Sequence, residues 1–493
     1  MDKMLKDSPY YQKILDSKFT RILISVDKQI SNNIINGAIA TRPSASNGLW
    51  CCLLLPTVLI VYSIMYPVSE LYIFLTYISI GLLSYSFLFI AFMSVSCLVL
   101  KEKFYGGCEA SSFVATLLIY GLQGQGIIFS LTLSVIAVCL YSAMLRLALT
   151  DCPQTFTIGE AMVVGQSIAL SSVMAICVTL YDMGDKQDEE MQFINSVNFT
   201  ILSSVGIIVT ALSVFRGLPK TLAVLGYLVS IAGTYALMIL HVQVGVDCIV
   251  KIVAYIVLDI EKLKLIFFWA VLVGIAVVVV LMRTKLNVKA STVTRKTFHV
   301  LASLVFLTGI VYDIKLMYLA TGVGFAALIL VEALRKSGIE TISPALQAAF
   351  LVYSDEKDSG CFAMTPIYLY VGLACPLLLV PIHSGFELEL LSGVLSIGVG
   401  DTAASWFGSK YGFNKWADGK KSVEGTVFNI LSQVAVVYGL QLFELLDVPK
   451  ALFRVIVTAT ISGLVEAKTD QVDNLILPLV NILAFQTTTI LNF

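Results

Sequence analysis

The sequence predicts an all-α, polytopic transmembrane helical bundle, and two observations carry that prediction. Of 493 residues, 58% are hydrophobic and 13% are charged, with a mean hydropathy of +0.88. A soluble domain carries about 25% charged residues, so this composition belongs in a bilayer. The apolar residues also come in runs of spanning length, and lipid offers backbone amides no partners, so each run must satisfy itself as a helix. No spacing suggests a transmembrane barrel. The formal net charge is −1. The overall field therefore points to no partner, nucleic acid included, and local charge placement carries the information instead.

Residues 1–48 are a mixed polar tail without an early apolar core, so no cleavable signal peptide is expected and the first span is expected to act as the address. Within the tail, Met1–Lys28 has scattered apolar positions that suit either a short interfacial helix or a loosely ordered end. Apolar runs then follow at 49–68, 71–100, 111–149 with a break at Gly121–Gly126, 158–181, 195–215, 219–240 and 263–283. They continue at 297–312, 316–334, 364–382, 388–404, 426–444, 450–466 and 475–491. At about 20 residues per crossing the count is roughly 13 to 16 spans. Residues 244–258 and 345–353 are apolar but short, which fits interfacial or re-entrant segments. Ten cysteines show no C-x-x-C spacing, and most lie inside apolar runs, so they are expected to be small buried hydrophobes. Three histidines are too scattered for a histidine metal site.

Charge placement orients the spans. The 182–190 loop is acidic, whereas Arg216–Lys220 and the stretch holding Arg283, Lys285, Lys289, Arg295 and Lys296 are basic. With basic loops on the cytoplasmic side, Arg335–Asp358, Ser405–Lys421 and Lys468–Asp473 also face the cytoplasm. Every cluster of chemically useful residues then falls on one membrane face. The one N-x-S/T triplet, at Asn198, begins within a span and is expected to be unmodified. By content the chain divides into the tail, residues 49–282 as a scaffold or lipid-substrate region, and residues 283–493, which hold nearly all the clustered charge and form the expected catalytic region.

The densest polar stretch is Gly398–Thr426, GVGDTAASWFGSKYGFNKWADGKKSVEGT. Its glycine-freed amides, its lysines (Lys410, Lys415, Lys420, Lys421) and its carboxylates Asp401 and Glu424 are what a polyphosphate and its Mg²⁺ require. The same composition also suits a solvated basic loop between two helices. Arg295 and His299, four apart, share a helix face at the start of a span, where an anionic ligand would offset the cations' clash with the helix dipole. Glu332 and Arg335, three apart, suit a paired helix end. Asp355, Glu356 and Asp358 in the next loop suit plain solvation. If the helix continues, Glu466, Asp470 and Asp473 fall within a ~60° helical stripe, and three carboxylates there need a cation or ammonium groups opposite. No P-loop, protein-kinase order or G-x-S-x-G appears.

GDTAASWFGSKYGFNKW…KKSVEGT resembles the signature of the polyprenol kinase family. RKTFH at Arg295–His299 is similar to that family's R-K-x-x-H element, and Glu466, Asp473, Asn474 and Pro478 match its glutamate followed by Asp-Asn and an apolar run with proline. Asp470 lies outside the pattern. The resemblance spans roughly the C-terminal two fifths of the chain. It implies CTP-dependent phosphorylation of a long-chain isoprenoid alcohol, dolichol or another polyprenol, to its phosphate in the endoplasmic reticulum membrane, in the service of protein glycosylation. On that footing Asp401 and Asp473 would hold Mg²⁺, and Asp401, Asp473, Glu466 and Lys421 would carry catalysis. CTP would be bound by Gly398, Gly400, Lys415, Trp416, Gly419, Lys420, Lys421, Ser422, Glu424, Gly425 and Thr426, with Arg295, Lys296, His299 and Arg335. Trp406 and Trp416 would either stack on cytosine or anchor at the interface. A lipid cytidylyltransferase would use the same CTP and Mg²⁺ but release pyrophosphate. A transporter would place ionisable residues mid-span in matching halves, which this chain does not do.

Overall fold

The computed structural model describes residues 18–491 except 102–105, 182, 184–187, 216–218, 287–288, 355–357, 359, 383–384 and 417–420. The described residues are helical throughout their ordered elements, with one isolated β-bridge between Lys415 and Ser422. The N-terminal group comprises α1 (Lys18–Asn36), α2 (Leu54–Met65), α3 (Glu70–Val95), α4 (Cys108–Leu118), α5 (Ile127–Arg146) and α6 (Ile158–Tyr181). There follow α7 (Glu189–Val214), α8 (Leu222–Val244), α9 (Cys248–Val257), α10 (Ile260–Leu286), α11 (Thr292–Tyr312), α12 (Ile314–Ser337), α13 (Ser343–Tyr353) and α14 (Met364–Leu379). A π-helical segment, Val394–Asp401, runs directly into α15 (Thr402–Tyr411), and α16 (Val423–Leu442), α17 (Ala451–Lys468) and α18 (Asp473–Ile490) complete the chain.

Among the described residues, eight helices are long and apolar enough to cross a membrane: α3, α5 with its π-helical end to Asp151, α6, α7, α8, α10, α12 and α16. Three further helices, α11, α17 and α18, reach spanning length with 21, 18 and 18 residues. Their apolar character is diluted by Arg295, Lys296 and His299, by Arg454, Glu466 and Lys468, and by Asn474, Asn481 and Gln486. All three contribute residues to the site described below. The expected short segments are the helices α9 and α13, and the expected break is present: after Ile119–Gln123, Gly124 takes a left-handed conformation at φ 71° before α5 begins.

Of the polar tail, α1 is an amphipathic helix that buries Ile30 and Ile34 against α3, while Ile22, Leu23 and Ile35 remain exposed. Among the described residues, two apolar clusters share three helices, α2, α14 and α18. One gathers α1–α6; the other gathers parts of α7–α12 with α16 and α17. Helices α14 and α18 supply both, with Tyr368, Leu475 and Ile476 on one side and Leu373, Leu377 and Phe485 on the other. Asn198 is buried between α7 and α12, its side-chain amide donating to the Tyr318 carbonyl at 3.1 Å.

The α14–α18 contact is close because Gly372 sits directly on the Asn474 carbonyl and the Ile397 side chain. An added methyl there has no room, and overpacking of this kind costs about 1–3 kcal/mol. Gly372→Ala is expected to lower the melting temperature of the detergent-purified protein and to reduce activity, because it displaces the first turn of α18. Gly274→Ala, on a face of α10 with nothing within 4 Å, is expected to leave both unchanged.

Candidate active site

A cavity of about 470 Å³ opens where helix ends meet. Its wall takes Arg295, Lys296 and His299 from the start of α11, Thr365 and Tyr368 from the start of α14, and Asp401 with Ser405 and Ser409 from the π-helix and α15. Lys415, Lys421 and Ser422 come from the following loop, Gly425 and Thr426 from the first turn of α16, Glu466 from the end of α17, and Asp473 and Asn474 from the start of α18. Four helix N-termini therefore meet at one space, each bringing first-turn amides and partial positive charge. Four basic side chains and three carboxylates line it as well.

The charges are locked in pairs. Lys296 Nζ donates to Asp401 Oδ2, and His299 Nδ1 lies 3.7 Å from the same oxygen. Asp401 is 4% exposed and His299 is 6% exposed. The π-helix widens the backbone by one residue per turn, a feature concentrated at functional sites, and ends on Asp401. Lys421 Nζ donates to the Glu466 carbonyl at 2.6 Å and reaches Asp473 Oδ1 at 3.3 Å. Burial alone would lower the Lys421 pKa; Asp473, Glu466 and Asp401 more than offset it and hold the ammonium above its usual value. The Glu466 carboxylate accepts from Asn429 Nδ2, Asn429 Oδ1 accepts from Gln433 Nε2 at 2.5 Å, and Gln433 Oε1 accepts from Asn481 Nδ2 at 3.5 Å. A buried polar ladder across α16, α17 and α18 thus fixes that carboxylate.

The residues expected at the site divide into two sets. Asp401, Glu466, Asp473, Lys421, Lys415, Arg295, Lys296, His299, Ser422, Gly425 and Thr426 all line the cavity. Gly398 and Gly400 do not: they pack against Ser303 and against Asn429 and Gln433, so their missing side chains serve helix packing. Arg335 lies away from it, with two guanidinium nitrogens on Glu332 at 2.6 and 2.8 Å, a third on Gln347 at 2.5 Å, and its cation over Phe350. Trp416 is buried and donates to Thr426 Oγ1 at 3.1 Å, and Glu424 is held by Asn414, so neither faces the cavity. Gly419 and Lys420 lie outside the described residues. Asp358, expected in solvent, is buried and accepts from Thr365 N and Oγ1 at 3.0 and 2.8 Å. Sequence reasoning missed Thr365, Tyr368 and the Asn429–Gln433 pair. Nothing marks the first two within an apolar run, but Asn429 and Gln433 are polar residues four apart inside a span, a legible sign of a buried network.

A sequence model of the family described as dolichol kinase matches residues 107–384. The chain belongs to the dolichol kinase family. Family membership makes it an enzyme, a kinase with multiple membrane helices. It is 29% identical to dolichol kinase of Mus musculus over 368 residues, covering 70% of this chain and 68% of that protein. It is 28% identical to dolichol kinase of Homo sapiens over 396 residues, covering 74% and 73%. To dolichol kinase EVAN of Arabidopsis thaliana it is 32% identical over 229 residues, covering 45% and 39%. No solved structure matches. The matched stretch of this dolichol kinase family member includes Arg295, Lys296, His299 and Tyr368 and ends ahead of Asp401.

Removing one partner of a buried ion pair costs about 3–5 kcal/mol, because the other charge is left uncompensated. Lys296→Met is therefore expected to destabilise the protein strongly. Lys296→Met combined with Asp401→Asn is expected to regain most of that stability while remaining inactive. Thermal unfolding and a kinase assay on the same preparations check both halves.

Proposed function

We propose that the protein transfers the γ-phosphoryl group of CTP to dolichol, giving dolichyl phosphate and CDP, at the cytoplasmic face of the endoplasmic reticulum membrane. The observation that carries this reading is the convergence of Arg295, Lys296, Lys415 and Lys421 with Asp401, Glu466 and Asp473 around one cavity fed by four helix N-termini. A polyphosphate is the ligand that suits such a surface. The basic loops that flank the site support a cytoplasmic orientation.

In this mechanism Lys421 and Lys296 leave their carboxylate partners for phosphate oxygens, with Arg295 and Lys415 beside them. Amides of the first turn of α16, capped by Ser422 through the Gly425 N–H at 3.1 Å, add further donors. Asp401 and Asp473, so released, fit a Mg²⁺ ion, which takes hard oxygens from one or two carboxylates together with substrate phosphates. Among the described residues no cluster of three His, Cys, Asp or Glu could hold a metal unaided. Bound there, the ion would neutralise charge on the phosphates during transfer. Dolichol approaches laterally, its hydroxyl reaching the wall formed by Thr365, Tyr368 and Asn474. A carboxylate, Asp473 or Asp401, orients that hydroxyl and takes its proton. The dolichol oxygen forms its bond to the γ-phosphorus as the bond from that phosphorus to the bridging oxygen of CDP breaks.

Purified protein supplied with dolichol, Mg²⁺ and γ-labelled CTP is expected to yield labelled lipid and CDP, and γ-labelled ATP far less. Asp401→Asn and Lys421→Ala, expressed normally, are expected to lose at least about a hundredfold in rate, the scale of a lost transition-state charge contact. Near wild-type rates in both variants, or pyrophosphate as the product, would overturn the reading.

A further inference from the structure

The four residues 469–472 connect Glu466 at the end of α17 to Asp473 at the start of α18, so their placement sets where two cavity carboxylates stand. The flanking helices tie only the edges of this connection: Thr469 N donates to the Val465 carbonyl at 2.9 Å, and Leu475 N and Ile476 N donate to the Val472 carbonyl at 3.0 and 3.2 Å. The residue preceding α18, Val472, offers no side-chain cap. The hydrogen bonds to the Asp470 carbonyl and from Val472 N come from the other end of the chain. Glu160 Oε1 accepts from Val472 N at 2.9 Å, and Arg42 NH2 donates to the Asp470 carbonyl at 3.0 Å. Arg42 and Glu160 are themselves joined by two bonds, of 2.5 and 3.1 Å, and Thr157 N donates to the second Glu160 oxygen at 3.0 Å. Between them, Gln471 accepts from Thr157 Oγ1 at 2.5 Å and donates to the Ser46 carbonyl at 3.1 Å. Glu160 is fully buried and Arg42 nearly so.

The clamp is itself anchored. Arg42 N donates to the Phe156 carbonyl at 2.9 Å and Gly159 N to the Asn47 carbonyl at 2.8 Å, so residues 42–47 run alongside the start of α6. Gly48, at φ 68°, and Gly159 allow this approach: a methyl on either would run into Gln471 or into the Gly48 carbonyl. An ion pair is costly to bury, and two of the outer bonds of this one, to the Asp470 carbonyl and from Val472 N, end on that connection, with Thr157 N holding the remaining Glu160 oxygen. It resembles the outer shell that orients metal ligands.

We infer that Arg42 and Glu160 are positioning residues that fix Asp473 for its cation, and that this is what the N-terminal third contributes to the reaction. The inference rests on the proposed role of Asp473 as a ligand.

The test measures Mn²⁺ affinity by electron paramagnetic resonance on the full chain in lipid nanodiscs with CTP, alongside the Mg²⁺ dependence of turnover. Arg42→Lys keeps the charge but loses the fork, and Glu160→Gln keeps one acceptor. Each is expected to weaken Mn²⁺ binding by about tenfold or more, as outer-shell changes do, with turnover recovering at high Mg²⁺. Arg454→Lys perturbs a second buried pair, with Glu389, at the far ends of α17 and α18; it is expected to lower the melting temperature and leave Mn²⁺ affinity alone. If Asp473→Asn weakens Mn²⁺ binding while Arg42→Lys and Glu160→Gln bind like wild type, the clamp has no positioning role. If Asp473→Asn also binds like wild type, the ligand reading fails and the clamp proposal falls with it. Should neither clamp variant be recovered folded, Gln471→Leu, which cuts the Thr157 and Ser46 ties and spares the ion pair, carries the same expectations.

Discussion

A carboxylate as buried as Asp401 would cost several kcal/mol among membrane helices if it stood alone, and Lys296 supplies its counter-charge from a helix more than a hundred residues earlier. That single pairing fastens α11 to the π-helical segment and brings the basic start of one helix to the acidic end of another. Gly398 lets Ser303 of α11 come close, and Gly400 admits Asn429 and Gln433 of α16. The π-helical segment that carries the carboxylate is thus approached closely by two helices, α11 and α16. Without a ligand the lysine satisfies the aspartate; a polyphosphate would compete for the lysine and release the aspartate. The ion pair is then both the fastening of the fold and the latent form of the site.

The rest of the arrangement follows from building a polar cavity at helix ends. Termini are the places in a helical bundle where backbone donors are unpaired and where charge reaches water without a mid-membrane penalty. Here α11, α14, α16 and α18 begin at the cavity and α17 ends there. Helices α14 and α18 also join the two apolar clusters, so the site stands where the halves of the bundle are pressed together. The N-terminal helices reach it through Arg42 and Glu160, which gives a physical task to a region whose loops carry little chemistry of their own.

Much of this was legible in the residues. Apolar run lengths marked the helices, and the glycine–lysine stretch, the R-K-x-x-H element and the carboxylates Glu466 and Asp473 marked the cavity, because each cluster is compact in sequence. What escaped depended on contacts between distant segments. Arg335 has Glu332 one turn away and Gln347 on α13, so local pairing claimed it. Trp416 turned inward because Thr426 offered an acceptor. Gly398 and Gly400 carry the composition of a phosphate loop, yet they lie in a buried π-helix, and composition alone does not separate those uses. Arg42 and Glu160 stand 118 residues apart, and Glu160 meets Val472 across 312; no local pattern announces either contact. The span count was clouded because three of the site helices, α11, α17 and α18, carry polar residues that dilute their apolar character.

A cryo-electron microscopy map of the nanodisc-embedded protein with Mg²⁺, dolichol and a non-hydrolysable β,γ-analogue of CTP bears most directly on the central claim. Triphosphate density between the start of α11 and Lys421, with Asp401 turned from Lys296, is the result expected. Density in the separate cavity beside Lys220 and Lys336, with the Lys296–Asp401 pair intact, would contradict it.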